Sequence, residues 1–495
     1  MIELKTLGEL KQSGYISKSI KDELRDNLIA KLKTKEQLFK GILGYDDTVI
    51  PDIERAILSR HNINLLGLRG QAKTRIARQM TELLDEYIPV VSGSELNDDP
   101  LSPISKYAVD LIKEKGDATP IGWIHRSERY SEKLATPDVS VADLIGDVDP
   151  IKAANLKLSY ADERVIHFGM IPRSNRFIFV INELPDLQPR IQVALFNILQ
   201  EGDIQIRGFK LRVPLDIQFL FTANPEDYTN RGSIVTPLKD RIGSQILTHY
   251  PTSIELGKRI TEQEAKLTAS QKQNIEIPEL LKVLIEGISF EARVSEFVDH
   301  KSGVSARLTI SAYENLASTA ERRMLLNGES QTFARVSDLS GVVSAVNGKI
   351  ELVYEGEQEG SAVVAQILIS KAIRSYFVKH FPDPSKLKKK KQISPYQKIL
   401  DWFSENNVVD IMINDDNATY CKILDSIPAL EDLVTQYIPH LSKNEKYVMK
   451  EFVLHGLAEH SQLGKATLEK GVQFKDLFGS MLSGGSSDFT EEDLN

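Results

Sequence analysis

The pattern of hydrophobic and polar positions changes near residue 250. Before that point, short apolar runs alternate with helical or irregular segments, and after it the apolar positions recur at helical spacing. Strands separated by helices are typical of a parallel sheet that is covered on both faces. The runs that predict strands are 63–66, 88–91, 177–181, 217–221 and 245–249. The pattern therefore predicts an α/β fold followed by helical regions.

The later part of the chain predicts helices, among which 255–267, 278–297 and 306–326 are amphipathic. A basic, proline-flanked stretch at 386–391 has the composition of a linker. We therefore expect five segments along the chain. They are an N-terminal helical segment (1–40), an α/β nucleotide-binding core (41–250), a helical lid (251–382), a C-terminal helical domain (383–480) and an acidic tail (481–495) whose composition predicts disorder.

Composition narrows the class of protein. The 495 residues carry 61 Lys and Arg against 70 Asp and Glu, a net charge of −9. The single cysteine, Cys421, cannot form an internal disulfide, and we assign it no catalytic role. The sequence has no signal-peptide pattern and no apolar run of about 18 residues. We therefore expect a reduced, cytoplasmic protein with no membrane span, and the acidic balance argues against nucleic acid as the default partner.

The segment after the first predicted strand has the spacing of a phosphate-binding loop. Residues 67–74 read Gly-Leu-Arg-Gly-Gln-Ala-Lys-Thr and lead into a helical stretch. They match the pattern GxxxxGK[ST] except at Ala72, where the pattern has glycine. In such a loop, backbone N–H groups and a helix N-terminus surround the phosphates. Lys73 would reach the β- and γ-phosphates and Thr74 would ligate Mg²⁺. The alternative is a chance Lys-Thr pair after a turn. The residues predicted to bind nucleotide are Gly67, Gly70, Gln71, Ala72, Lys73 and Thr74.

The apolar run 177–181 ends in Asn182 and Glu183. Ligands of open α/β sheets lie beyond the carboxyl ends of the strands. Nucleotide-hydrolysing proteins place carboxylates there, to orient Mg²⁺ and to activate the attacking water. Glu183 is the candidate general base. Asn182 is the candidate residue on the Mg²⁺ side of the site. Its amide oxygen can accept hydrogen bonds but carries no charge. The alternative is a strand-end turn at Pro185.

Three further residues could complete such a site. Asn224 follows the next strand and could hold the attacking water or sense the γ-phosphate, and the alternative is a turn at Asn-Pro. Arg241 could be an arginine finger for a neighbour's site, with Arg231 as a weaker rival and a surface arginine as the alternative. Arg307 opens a helix and could contact phosphates, and the alternative is helix capping by Ser305 with an exposed arginine.

In this order, the motifs resemble those of AAA+ ATPases over about residues 41–323. The loop ending at Lys73-Thr74 is similar to that of MoxR-type ATPases. The segments 143–147 and 167–171 resemble the part of magnesium-chelatase ATPase subunits in which a helix-2 insert sits. Residues 200–213 alternate around Gly208, which predicts a β-hairpin similar to the pre-sensor hairpin of this group.

The resemblance implies a P-loop AAA+ core and an ATPase that uses ATP and Mg²⁺. It also implies a hexameric ring that remodels or activates a protein partner, such as one with a von Willebrand A domain. Arg241 would then act in trans, Arg307 would sense nucleotide, and Asn182 and Asn224 would assist Glu183. The insertions at 93–122 and 137–172 and the hairpin would form the surface that contacts the partner. On the hairpin, Lys210 and Arg212 could contact an acidic partner or nucleic acid, but a solvated hairpin face is favoured over contact with nucleic acid.

Two other functions stay open. Asn182 replaces the aspartate of the families resembled, which favours a nucleotide-gated scaffold with little hydrolysis. A transcription activator resembling the σ54-dependent group shares the insert architecture. The sequence has neither that group's Gly-Ala-Phe-Thr-Gly-Ala loop nor a clear helix-turn-helix at either end.

Overall fold

The computed structural model describes residues 4–157, 163–205, 212–225, 233–390 and 394–477. The chain forms two compact units that meet in sequence between Tyr250 and Pro251. The predicted hairpin tip around Gly208 with Lys210, the side chain of Arg212, the rival Arg231 and the predicted tail 481–495 lie outside the described residues.

The first unit is built on a five-stranded parallel sheet, as the hydrophobic pattern predicts. The strands described in this unit are β1 (Ile63–Leu66), β2 (Tyr87–Val91), β3 (Ile121–His125), β4 (Tyr130–Leu134), β5 (Gly146–Val148), β6 (Ile166–Phe168), β7 (Ile178–Asn182), β8 (Asp203–Gln205), β9 (Arg212–Pro214), β10 (Gln218–Ala223) and β11 (Ser244–Leu247). The sheet runs β11-β1-β10-β7-β4, and all of its pairs are parallel. The carboxyl ends of the adjacent strands β1, β10 and β7 therefore lie side by side.

The sheet is covered on both faces, because alternate residues of its strands enter different apolar clusters. Along β7, Ile178 and Val180 pack into a cluster with the helix that follows β1. Phe179 and Ile181 pack into a cluster on the opposite face. This double burial explains why β7 is a continuous apolar run rather than an alternating one.

The helices described in this unit are Leu7–Gln12, Ile20–Thr34, Val49–Leu58, Lys73–Gln79, Lys106–Lys115, Val141–Leu144, Pro150–Leu156, Met170–Arg173, Pro189–Ala194, Phe196–Glu201 and Thr236–Arg241. The predicted insert regions contain helices of this set. The antiparallel pair β2–β3 flanks the region 93–122, and the antiparallel pair β5–β6 lies within the region 137–172. The predicted hairpin is present in its two strands, since β8 and β9 pair antiparallel.

One expectation about the sheet was wrong. The run 88–91 lies in β2, which pairs antiparallel with β3 instead of joining the parallel sheet. Pro89 has no backbone N–H to donate, so this strand suits a two-stranded ribbon better than the interior of a sheet. The fifth strand of the parallel sheet is β4, Tyr-Ser-Glu-Lys-Leu, which lies at the sheet edge beside β7. Its polar composition is that of an edge strand.

A buried ion pair fixes the beginning of β4. Both terminal nitrogens of Arg129 donate to the carboxylate of Glu23, at 2.6 and 2.7 Å, and the guanidinium also donates to the carbonyl oxygen of Arg176. Arg129 and Glu23 are almost fully buried. Breaking such a pair by removing one partner is strongly destabilising, because it leaves a buried charge without compensation. The edge strand is therefore held by the N-terminal helix Ile20–Thr34.

The second unit is mainly helical. Its described helices are Ile254–Glu264, Ala269–Asn274, Glu279–Val294, Arg307–Leu326, Val343–Asn347, Tyr354–Glu359, Ser361–His380, Pro384–Lys390, Gln397–Ser404, Asn417–Asp425, Leu430–Tyr437 and Lys443–Glu459. Most of them contribute side chains to one large apolar cluster. The predicted C-terminal helical region also contains a three-stranded antiparallel sheet that the helical pattern did not reveal. The remaining strands are β12 (Ile275–Glu276), β13 (Thr332–Phe333), β14 (Val409–Met412), β15 (Gly464–Leu468) and β16 (Gly471–Lys475).

One described helix, Ser361–His380, is long and apolar enough to cross a membrane by length and composition. Core helices of soluble proteins pass the same test. In this unit the helix buries six side chains, among them Leu368 and Phe377, in the apolar cluster.

Candidate functional site

The loop between β1 and the helix Lys73–Gln79 has the backbone geometry that its small residues allow. Gly70 has φ 75° and Ala72 has φ 58°, so both lie in the left-handed region. Alanine rarely adopts this conformation, and glycine does so without cost. The departure from the motif at Ala72 therefore falls on a residue whose backbone is strained.

Lys73 begins the helix and is buried, with 8% of its surface exposed. Its Nζ atom donates to the carbonyl oxygens of Gly67 and Leu68, the latter at 3.0 Å. The ammonium group is thus held at the start of the loop. A phosphate bound there would exchange these carbonyl contacts for charge-assisted hydrogen bonds, which are stronger.

Three side chains from outside the loop hydrogen-bond to it, two to its backbone and one to the side chain of Gln71. The Tyr45 hydroxyl donates to the carbonyl oxygens of Gln71 and His249, at 3.1 and 2.8 Å. Burial raises the pKa of Tyr45 to about 12, so the phenol stays neutral and able to donate. Thr248 donates to the Gln71 side chain at 2.5 Å, and Tyr250 donates to the carbonyl oxygen of Arg69 at 3.0 Å.

Hydrogen bonds join the ends of β10 and β7. The buried Thr222 donates from Oγ1 to the Asn182 Oδ1 atom at 3.2 Å, and accepts from the backbone N–H of Glu183 at 3.1 Å. Glu183 itself has φ 55° and ψ 51°. Left-handed backbone at a non-glycine residue is uncommon and often marks a functional position. The bend turns the chain sharply at the end of β7, directly after the strand.

Asn224 stands beside the loop. The N–H of Gly67 donates to the carbonyl oxygen of Ala223, the residue before Asn224, at 3.0 Å. The Asn224 side chain is buried, and its Oδ1 atom has no hydrogen-bond partner among the residues that the structure describes. A buried amide oxygen without a donor is costly, so a donor from a bound ligand or water would be stabilising there.

Glu132, on β4, also belongs to this region and was not among the predicted site residues. Its carboxylate forms an ion pair with Arg78 at 2.5 Å and accepts from the Tyr130 hydroxyl at 2.8 Å. Burial raises the pKa of Glu132, but hydrogen bonds from Arg78, Tyr130 and Asn182, with the Arg78 charge, outweigh it and lower the pKa overall. No sequence motif would have indicated Glu132, because its strand is short and polar.

A metal ion bound here would have to share its ligands with a nucleotide. Among the described residues, no group of three or more His, Cys, Asp or Glu side chains could hold a metal ion alone. Oxygen donors are nevertheless present, since Thr74 is exposed in the first turn of the helix and Asn182 ends β7. Hydroxyl and amide oxygens suit Mg²⁺, which is commonly bound by one or two protein groups together with phosphates. The residues present therefore fit Mg²⁺ that arrives with ATP.

Arg241 ends the helix Thr236–Arg241 and contacts its own chain. Its guanidinium donates twice to the Gln200 side chain, at 2.7 and 3.0 Å, and once to the carbonyl oxygen of Pro237. The same group lies 5.0 Å from the centre of the Phe196 ring. These contacts hold the arginine on the helix Phe196–Glu201.

Arg307 belongs to the second unit, where it is exposed at the beginning of the helix Arg307–Leu326. Its backbone N–H donates to the Ser305 hydroxyl at 3.1 Å. Ser305 therefore contacts the beginning of the helix, but the N-cap residue is Ala306 and the helix has no side-chain cap hydrogen bond. The arginine is exposed, as the alternative to a phosphate contact has it.

The structure thus gathers the loop residues, Asn182, Glu183 and Asn224 at adjacent strand ends of one unit. Arg241 lies on a separate helix of that unit, and Arg307 lies in the other unit. The predicted rival Arg231 falls outside the described residues.

Comparison with protein-family models and with curated proteins found no match. Among solved structures, a candidate ATPase from Cytophaga hutchinsonii is 16% identical over 73% of this chain and 98% of its own, with a TM-score of 0.26. The complex of subunits BchI and BchD of magnesium chelatase gives 19% identity, 65% and 98% coverage and a TM-score of 0.33. NtrX from Brucella abortus gives 13% identity, 81% and 72% coverage and a TM-score of 0.36. Likenesses this distant carry no inference about function, which has to come from the residues of the site.

Proposed function

We propose that this protein is an ATPase of the AAA+ type, in which the first unit binds and hydrolyses ATP. One observation carries the proposal. The loop with Lys73, the pair Asn182-Glu183 and the side chain of Asn224 lie at the carboxyl ends of three adjacent parallel strands. This is where open α/β sheets bind their ligands.

The roles of the residues follow from their chemistry. The loop N–H groups and Lys73 bind the phosphates, and Thr74 with Asn182 supplies oxygen donors on the side of the metal. Mg²⁺, when bound, neutralises charge that develops on the phosphates. Glu183 accepts the proton of the attacking water, and Asn224 orients that water or the γ-phosphate.

A nucleotide-gated scaffold is the second candidate, and Asn182 favours it. The Asn182 amide is neutral and already accepts a hydrogen bond from Thr222. A site with this group in place of a carboxylate would attract the metal more weakly, and ATP could then bind without fast turnover.

The oligomer and the partner follow from the family resemblance of the sequence. A hexameric ring would let Arg241 complete the site of a neighbouring chain, and a protein with a von Willebrand A domain would be remodelled or activated. Residues 251–382 would act as the lid, with Arg307 as a nucleotide sensor, and 383–480 would form the C-terminal domain.

Phosphate release and ATP binding, measured on the full chain and on two variants, separate these functions. Glu183→Gln should lower turnover about 10²- to 10⁴-fold and leave ATP binding intact. Lys73→Ala removes charge-assisted contacts worth about 1.5–3 kcal/mol and should weaken ATP binding roughly 10- to 150-fold.

Glu114→Gln and Lys113→Ala are matched controls, since both residues are exposed on the helix Lys106–Lys115. Turnover that is the same in the wild type and both test variants would refute the ATPase. Tight binding of Mg·ATP with no phosphate release, with or without a partner, would identify the scaffold.

A further inference from the structure

Asn182 stands where nucleotide-hydrolysing proteins have a carboxylate, and Glu132 lies nearby on the neighbouring strand. In the parallel pair β4–β7, Glu132 lies opposite Val180 and Leu134 lies opposite Asn182. Opposed residues of neighbouring strands point to the same face, and residues two apart along a strand do too. Glu132 and Asn182 therefore share one face of the sheet as diagonal neighbours on adjacent strands, and the Asn182 amide helps to lower the pKa of the Glu132 carboxyl.

That face is the one covered by the helix of the phosphate-binding loop. Val180 packs in the same apolar cluster as Ile76 and Ala77, which belong to the helix Lys73–Gln79. Arg78, the next residue, forms the ion pair with Glu132. Thr74 and Arg78 are four residues apart, so they lie on the same side of this helix. The candidate metal ligand Thr74 is thus one helical turn from the cation that contacts Glu132.

We propose that Glu132 is a positioning residue that supplies, through Asn182, the negative charge which Asn182 lacks at the Mg²⁺ position. This inference rests on the proposed nucleotide function. Asn182 accepts from Thr222 through Oδ1, which leaves its amide N–H groups for the side of the sheet on which Glu132 lies. The Glu132 carboxylate acts from the neighbouring strand β4. Its charge raises the affinity for Mg²⁺ without touching the ion, and Arg78 partly offsets that charge.

A purely structural role for the Arg78–Glu132 pair predicts something different. If the pair only clamps the helix to β4, removing either residue should loosen the site in the same way. If Glu132 acts through its charge, the two removals should change Mg²⁺ affinity in opposite directions, because they remove charges of opposite sign.

The measurement is the ratio of the ATP Kd in EDTA to that in saturating Mg²⁺, for the full chain and each variant. This ratio reports how strongly Mg²⁺ supports ATP binding and needs no turnover. Glu132→Gln should lower the ratio about tenfold, and Arg78→Gln should raise it about threefold, as expected for charges acting across a few ångströms of partly solvated protein. Adding Asn182→Asp to Glu132→Gln should restore the ratio, since it returns a carboxylate to the metal side.

Each result decides the proposal. Opposite shifts with rescue by Asn182→Asp support it. A parallel loss in both single variants without rescue, or a ratio that Glu132→Gln leaves unchanged, overturns it. Should Glu132→Gln fail to fold by circular dichroism, the ratio of Arg78→Gln decides, since a lowered or unchanged value overturns the charge role. A wild type that does not bind ATP at all refutes the proposed function instead.

Discussion

Thr248 donates a hydrogen bond to the side chain of Gln71 across a distance of 2.5 Å, and this contact ties the end of β11 to the candidate phosphate loop. The backbone of Gly67 passes directly beside the bonded pair. A Cβ atom on Gly67 would collide with both Thr248 Oγ1 and Gln71 Oε1. Glycine is therefore required at this position by a close approach and not by its backbone angles.

Replacement of Gly67 by alanine should disturb the loop and the fold together. Overpacking of a tight site costs typically 1–3 kcal/mol, and we expect a loss of about 2 kcal/mol in the free energy of unfolding. ATP binding should weaken about tenfold, a loss of roughly 1.4 kcal/mol. Denaturant unfolding and ATP titration measure the two effects.

Gly122→Ala is the control, since its nearest atoms would be at an ordinary 3.7 Å. Trp123 and Trp402 are the two tryptophans of the chain. In a Trp402→Phe background, the fluorescence of Trp123 reports on the first unit. If Gly67→Ala and Gly122→Ala have the same stability and ATP affinity, the close contact of Gly67 with Thr248 and Gln71 does not constrain the loop.

Thr222→Val should separate the positioning of Asn182 and Glu183 from the binding of nucleotide. Valine keeps the shape of threonine but removes the hydroxyl that donates to Asn182 and accepts from Glu183 N–H. Loss of these buried hydrogen bonds should cost about 1–3 kcal/mol of stability. Phosphate release should fall at least about tenfold if the loss acts on the transition state, while the ATP Kd should change less than threefold.

Thr34→Val, at an exposed helix end, is the matched substitution and should change stability by no more than about 0.5 kcal/mol. Equal losses in turnover and in ATP affinity for Thr222→Val would argue against a positioning role.

The sequence predicted the parts of the site that depend on local spacing. The loop around Lys73 and the strand end at Asn182 are set by short motifs, and the buried strands β1, β7 and β10 are apolar enough to recognise. Parallel pairing then brings their carboxyl ends together without further information.

The sequence could not predict features that depend on pairing at the sheet edge or between distant segments. β4 is an edge strand with three consecutive polar residues, Ser131 to Lys133, so its sequence does not indicate a sheet strand and its Glu132 could not be assigned to the site. The contacts of Arg241 with Gln200 are equally invisible, because 41 residues separate the two in the chain.

Ala72→Gly should stabilise the first unit. Ala72 has φ 58°, a conformation that costs an L-residue roughly 1–2 kcal/mol, although glycine also adds disorder to the unfolded chain. We expect a net gain of about 1 kcal/mol in the free energy of unfolding, read from Trp123 fluorescence as above.

Ala108→Gly is the control, because Ala108 has helical backbone in Lys106–Lys115 and is fully buried, so glycine relieves no strain there. Glycine there should cost about 1 kcal/mol. If Ala72→Gly instead lowers the free energy of unfolding, backbone strain at residue 72 does not dominate the effect of this substitution on stability.

Mixing experiments should reveal whether Arg241 acts on a neighbouring chain. A chain with Arg241→Ala keeps Glu183, the proposed general base, whereas a chain with Glu183→Gln keeps Arg241. If the arginine acts in trans, a mixture of the two inactive variants should contain complete sites, and its phosphate release should exceed that of either variant alone. A mixture of Lys73→Ala and Glu183→Gln should show no such gain where both residues serve the same site from the same chain. Release equal to the mean of the separate Arg241→Ala and Glu183→Gln proteins would exclude action in trans.

Glu286 should make the stability of the second unit depend on pH. Its side chain is buried beside Gly257 and accepts a hydrogen bond from Thr261 at 2.5 Å. Burial raises the pKa of Glu286 above its ordinary value of 4.5, and hydrogen bonds from Thr261 and Thr309 with the charges of Arg293 and Lys258 offset this only in part. The folded state therefore holds this proton more tightly than the unfolded state does.

The sign of the effect follows by linkage. The contribution of the protonated carboxyl is fully present below pH 4.5 and is lost as the pH rises through the higher pKa of the folded state. Glu286→Gln keeps a neutral side chain at every pH, so its stability relative to the wild type should increase from pH 4 to pH 8. In a Trp123→Phe background, Trp402 fluorescence reports the unfolding of this unit. Glu296→Gln, an exposed glutamate of the same unit, is the control. A difference between Glu286→Gln and wild type that stays constant over this pH range would contradict the raised pKa.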